Sequence, residues 1–196
     1  MRCKKIAALS LAVIMGVSSM LYSKDSFAAE RYRLFRAHFK KGKLKYSFLP
    51  NCNTYIASNA ATKWNGISKY VKLSPTSESG KGDINIVCNV TEPMTDSKLG
   101  YTFIFSNGRM CDPTENHILS SATCVQYNNK KYFETDIQRI STTVHEIGHA
   151  LSIAHPIESV DKKESVMKSG RNTIIKPTAL DEVALCRAAS LYWNNK

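Results

Sequence analysis

The run His145-Glu146-Ile147-Gly148-His149, with His155 six residues beyond, decides how this chain is read. It gathers three of the five histidines into one short stretch. On a helix His145 and His149 stand at i and i+4, so both imidazoles leave the same face and can reach one ion. Apolar Ile140, Val144, Ile147 and Leu151 recur at three- and four-residue spacing, the period that this geometry needs. Three neutral imidazoles leave one position of a tetrahedral zinc open for water, as in catalytic rather than structural sites. Glu146 lies beside such an ion without being needed as a ligand, placed to take a proton from water attacking a carbonyl. For the first five residues alone, a helix with surface histidines and no metal is the competing reading; the third histidine tells against it.

Extended to Ser165-Val166-Met167, the pattern resembles the metzincin zinc endopeptidases, whose HExxHxxGxxH is followed by a methionine in a tight turn beneath the metal. The run HEIGHALSIAH followed by SVM is most similar to the matrixin branch, that of the matrix metalloproteinases. A weaker resemblance extends from about Lys43 to Tyr192. The resemblance implies an α+β fold: a twisted, mostly parallel sheet with an antiparallel edge strand, an active-site helix and a C-terminal helix. It implies that His145, His149 and His155 bind zinc, that Glu146 is the general base and that Met167 is the Met-turn residue. It further implies that a peptide lies extended along an edge strand, here Gly100 to Phe105, with Gly100, Tyr101 and Thr102 nearest the metal. That strand carries no charge and no proline, the devices that block strand pairing, although an ordinary interior strand can look the same.

Two positions separate this chain from family relatives. Astacin- and serralysin-type metzincins have a tyrosine two residues after the methionine, and this chain has Ser169. Ser152 stands where the family has glycine. The turn there favours a left-handed backbone, which costs a serine about 1 kcal/mol. Its hydroxyl can bond a helix-end carbonyl, and Pro156 biases His155 toward an extended conformation.

Met1 to Ala28 reads as a secretory signal peptide. Arg2, Lys4 and Lys5 precede an apolar run, Ile6 to Leu21, and Ser26 and Ala28 suit a signal peptidase. The run is short for a membrane span and diluted by Ser10, Ser18 and Ser19. The expected mature chain is a single secreted, extracellular domain, 29–196. Loss of Arg2, Lys4, Lys5, Lys24 and Asp25 lowers the net charge from +11 to +8. Arg31, Arg33, Arg36, Lys40, Lys41, Lys43 and Lys45 form a basic arm that can meet an anionic surface, but a solvated face is the simpler reading. No nucleic-acid motif occurs. A monomer acting on protein or peptide is expected.

Five cysteines remain after Ala28, which suggests two disulfides and one thiol. Cys111 and Cys124 bracket a short loop and form a plausible local bridge. The resemblance to astacin-type enzymes implies a second bridge between Cys52 and Cys186. No CxxC occurs, so a cysteine zinc site is not expected. Ala29 to Lys43 is too short for a folded prodomain and holds no cysteine for a latency switch, so activity without further processing is expected. No acidic calcium loop is present, so a calcium requirement has no support.

Elsewhere Lys43 to Phe48 alternates as a first strand, and Tyr55, Ile56, Ala60, Trp64 and Ile67 predict a helix ending near Gly66. Strands are expected at Tyr70 to Leu73, Asp83 to Val87, Gly100 to Phe105 and Leu119 to Tyr127. The active-site helix is expected over roughly Thr135 to Leu151. Thr178 and Asp181 form a capping box for a last helix through Tyr192. Ser74 to Gly82 and Glu158 to Glu164 read as polar loops. The resulting expectation is a secreted zinc endopeptidase. Two other readings stay open: a non-proteolytic, zinc-containing secreted binding module, and a hydrolase of a cell-wall amide. Glu146 favours an enzyme, since a purely structural site does not need it.

Overall fold

The computed structural model describes residues 32–50, 52–91, 98–128, 135–157 and 165–193. The expected signal peptide, 1–28, and the polar loop Glu158 to Glu164 lie outside them. Among the described residues no helix is long and apolar enough to cross a membrane.

The architecture is mixed α/β with a mostly parallel sheet. Three residues near the start form β1 (Tyr32–Leu34). Strict alternation makes β2 (Lys43–Phe48), with Leu44 and Tyr46 buried and Lys43 and Lys45 exposed. It lies parallel to both β3 (Lys72–Pro75) and β4 (Ile84–Val90). Ile84 and Ile86 are fully buried, and the polar residue between them is largely buried too: Asn85 accepts hydrogen bonds from the Ser47 hydroxyl (2.7 Å) and the Gly82 N–H (3.1 Å). A buried amide satisfied in this way fixes the β2–β4 register instead of weakening it. The chain then runs through β5 (Gly100–Ser106) and the short β6 (Arg109–Met110) to β7 (Ser121–Tyr127). β7 is parallel to β4 and antiparallel to β5, which gives the order β3-β2-β4-β7-β5-β6.

Three helices pack with this sheet. Asn53 caps α1 (Thr54–Thr62) by accepting from the N–H groups of Tyr55 and Ile56. A capping box starts α2 (Asp136–Ala150): Thr135 Oγ1 accepts from the Gln138 N–H and Gln138 Oε1 accepts from the Thr135 N–H. α2 buries Ile140, Val144 and Ile147 and is pinned to the α1 side by Trp64, whose Nε1–H donates to the Val144 carbonyl at 3.0 Å. β8 (Ile153–Pro156) follows α2 and pairs antiparallel with β1. The last helix, α3 (Ala179–Tyr192), begins at the expected Thr178–Asp181 box.

Several expectations need correction. α1 stops at Thr62, and Trp64 and Ile67 fall in the turns that follow, ended by Gly66 at φ 79°. Trp64 is buried for its own reasons, so the apolar period outlasts the helix. The third strand is shifted to Lys72–Pro75, and the strand expected from Leu119 begins at Ser121. Asp83 stays outside β4, its carboxylate accepting from the Lys45 N–H at 2.7 Å.

Both expected disulfides are replaced by one bridge, Cys52–Cys88, and Cys111, Cys124 and Cys186 are free thiols. After β2 the chain runs on beside β4, with the Leu49 N–H donating to the Ile86 carbonyl, and this brings Cys52 to Cys88. Cys111 bonds Ile104 on one side of β5, while Cys124 sits in β7 on the other, opposite Thr102. Two strand spacings separate them by roughly 10 Å, beyond the ~7 Å that a disulfide spans. Cys186 instead lies 3.9 Å from the Ser68 hydroxyl.

Candidate metal centre

α2 delivers His145 and His149 from one face, with ring centroids 4.6 Å apart. The helix ends at Ala150, one residue later. Ser152, at φ 69°, turns the chain into β8, which returns His155 to 5.0 Å from the His145 ring and 4.8 Å from the His149 ring. One ligand nitrogen from each ring lies within 4.8 Å of the other two, so the three could hold a metal ion.

The tautomers suit that task. His145 Nδ1–H donates to the Val166 carbonyl (2.9 Å), and His149 Nδ1–H donates to the Ile153 carbonyl (2.8 Å). A carbonyl can only accept, so both Nε2 atoms carry lone pairs facing the centre. His145 Nε2 lies 3.0 Å from His155 Nε2. Burial, with a smaller contribution from His155, pushes the His145 pKa down to about 4, against the pull of the Val166 carbonyl. Burial also holds His149 well below its ordinary value and lowers His155. Near neutral pH three uncharged imidazoles therefore converge, with the lone pairs of His145 and His149 Nε2 free to accept, from a His155 N–H or from a borderline-soft divalent ion such as zinc.

Glu146, 5% exposed, lies beside the triad. Burial raises its pKa to about 8, and a hydrogen bond from Thr102 works against that rise. The Thr102 hydroxyl on β5 is 2.7 Å from Glu146 Oε2 and 2.8 Å from the Glu146 carbonyl. Gly100, two residues earlier on the same face, gives the carboxylate room: a Cβ there would stand 2.7 Å from Oε1. Cys124 lies below, opposite Thr102; burial foremost, then the charge of Glu146, keeps its thiol protonated.

Met167 is fully buried, its side chain against Gly148 of α2. A Cβ on Gly148, between the two helical histidines, would meet the Met167 side chain and the Trp64 ring, so glycine lets both pack close to α2. The turn is held from α3. Asp181, fully buried, accepts from the Ser165 hydroxyl (2.6 Å), the Val166 N–H (3.1 Å) and the Thr178 N–H (2.8 Å). The Val166 carbonyl on the same peptide segment orients His145, so a carboxylate on the last helix supports a candidate ligand on α2. The sequence marked Asp181 only as a helix cap and Thr102 only as part of the expected substrate strand nearest the metal. Nothing local signals either further role, because each depends on a contact made in three dimensions.

A cavity of about 990 Å³ opens over this group, lined among others by Gly100, Tyr101, Thr102, Thr142 and Asn172. Among the described residues, Gly100 to Phe103 of β5 pair only with β7, and β6 covers no more than Phe105 and Ser106. The outer edge of β5 beside the cavity is thus unpaired there. The structure brings together His145, Glu146, His149, His155, Met167, Gly100 and Thr102. The cysteines proposed for disulfides play no part, apart from Cys124 beneath Thr102.

No protein-family model matches the chain, and no curated protein matches it. Among solved structures it is similar to myroilysin, at 13% identity and a TM-score of 0.47 over 81% of this chain and 97% of that one. It is similar at the same identity and TM-score to a chain of the GM1-bound form of the ECX AB5 holotoxin, over 82% of this chain and 90% of that one. Likenesses at this TM-score bear on neither ancestry nor activity.

Proposed function

We propose that the chain is a secreted zinc-dependent endopeptidase of the metzincin type, closest to the matrixin branch. The observation that carries this reading is the convergence of three uncharged imidazoles beside a buried carboxylate at the floor of a cavity. His145, His149 and His155 would hold the ion. When bound, zinc supplies Lewis acidity, lowering the pKa of a water and polarising a carbonyl.

The chain's own groups do the rest. The open edge of β5 at Gly100 to Phe103 offers a peptide main-chain hydrogen bonds by strand addition, which sets the scissile carbonyl over the triad. Glu146 accepts a proton from the attacking water and returns it to the leaving amine. A dication held by the three histidines would lower its pKa from the value that burial alone imposes and favour the ionised form. Thr102 holds one carboxylate oxygen, and Gly100 leaves the other free. Met167 packs beneath the rings and takes no part in proton transfer. The reading of 1–28 as an export signal agrees with the Cys52–Cys88 bridge, which belongs to an oxidising compartment.

The test is incubation of purified protein with a diverse peptide mixture, with and without a chelator. Cleavage that disappears on chelation and returns with zinc is expected. A zinc-loaded protein that leaves every peptide intact would refute the activity.

A further inference from the structure

His145 and His149 each have a ring nitrogen tied to a backbone carbonyl, but no such tether reaches the His155 ring among the described residues. The position of His155 is therefore set by the backbone of β8. What holds that backbone lies far away in sequence. β1 pairs with it, Leu34 opposite Ile153 and Tyr32 opposite Pro156. The Phe35 N–H donates to the Ser152 carbonyl at 2.8 Å, and the Ser152 hydroxyl donates to the Ala37 carbonyl at 2.9 Å. The Phe35 ring rests against the His149 ring, with centroids 5.4 Å apart. On its other side the segment is anchored to α3, the Tyr192 hydroxyl donating to the Phe35 carbonyl at 2.8 Å. The Arg36 and Ala37 N–H groups both donate to the Pro113 carbonyl.

Ser152 has an unusual place in this arrangement. It is 1% exposed and adopts φ 69°, a backbone that glycine takes without strain. A serine there gives up backbone comfort, and its hydroxyl makes a buried bond that glycine cannot.

We infer that residues 34–37 are a clamp for the third metal ligand, with Ser152 as the positioning residue that couples the clamp to His155. Segment 34–37, Ser152 and β8 move as one unit, and the N-terminal arm belongs to the metal centre. The inference rests on the metal reading of the site. Outer partners that orient ligands commonly carry tenfold or more of a site's affinity.

Two substitutions test it. Ser152→Gly relieves the strained backbone and removes the hydroxyl, so the thermal midpoint stays near wild type while the coupling is lost. Zinc affinity, read by competition with a chromogenic chelator, should fall about tenfold. Ser152→Ala keeps the strain and loses the bond, so zinc affinity and thermal midpoint should fall together. Amide exchange is followed in parallel on zinc-free protein, where the Phe35 N–H should exchange about tenfold faster in both variants while Val144 in α2 is unaffected. Wild-type exchange at Phe35 in the glycine variant, or wild-type zinc affinity in a variant known to bind the ion, overturns the clamp. A wild-type protein that takes up no zinc defeats the metal reading alone, and the exchange comparison still decides whether the clamp exists.

Discussion

Thr102 and Glu146 show how much one hydroxyl can control. The bond to Oε2 fixes the carboxylate that the proposed mechanism uses as its base. Thr102→Val keeps the shape and removes the donor. A hydrogen bond to a charged group is worth about 1.5–3 kcal/mol, so kcat should fall roughly tenfold to a hundredfold with KM little changed, and Thr102→Ser should recover most of it. Steady-state kinetics on one peptide decide this, and a loss confined to KM would reassign Thr102 to substrate binding. Glu146→Gln should keep zinc and fold while lowering turnover by about a hundredfold or more; zinc loss from that variant would make Glu146 structural.

The titration of the metal-free protein follows from the same residues. His145 is pushed from 6.5 down to about 4, so between these values the unfolded chain binds a proton that the folded chain does not. His149 and His155 act in the same direction. Their contribution to stability is lost as pH falls below about 6.5. Glu146, raised from 4.5 to about 8, has the opposite sign: its contribution is complete below 4.5 and lost as pH rises through 8. Three imidazoles outweigh one carboxyl on the acid side, so the thermal midpoint of chelator-treated protein should peak near pH 6.5. Glu146→Gln should flatten the alkaline decline and steepen the acid limb between 4.5 and 6.5, and a midpoint that does not respond to pH between 4 and 6.5 would contradict the burial of the triad.

At the scale of elements, α2 is legible because its instructions are local. Thr135 and Gln138 start it, the apolar residues repeat at its period, and His145 and His149 share a face through nothing but the helical pitch. The turn at Met167 is different, because its support comes from α3. Asp181→Ala leaves the Ser165 hydroxyl and the Val166 and Thr178 N–H groups without their buried acceptor. A loss of about 3 kcal/mol is expected in urea unfolding, together with weaker zinc retention through Val166 and His145. A surface-like loss below about 0.5 kcal/mol would mean that the turn holds itself.

For the molecule as a whole, the Cys52–Cys88 bridge ties distant segments together, and under the proposed function a bound zinc would do the same. Zinc at about a hundred times its dissociation constant should stabilise the folded chain by about 2.7 kcal/mol, seen as a thermal midpoint that rises with zinc concentration and collapses on chelation. Peptide mapping without reduction should recover a Cys52–Cys88 pair and free thiols at Cys111, Cys124 and Cys186. A Cys111–Cys124 fragment would mean that β5 does not lie between them.

The sequence by itself determined what spacing along one element can carry: the helix with its two imidazoles and carboxylate, the Thr178–Asp181 capping box and the alternating β2 and β4; through resemblance it pointed to His155 and Met167. Tertiary structure alone decided which distant groups meet. Thr102 reaches Glu146 across 44 positions, Cys52 reaches Cys88 across 36, and Ser152 reaches Ala37 across 115. Helical and strand periods are properties of a few consecutive residues and can be read from them. A contact between remote segments depends on strand order and helix packing, which the whole chain sets together when it buries its core.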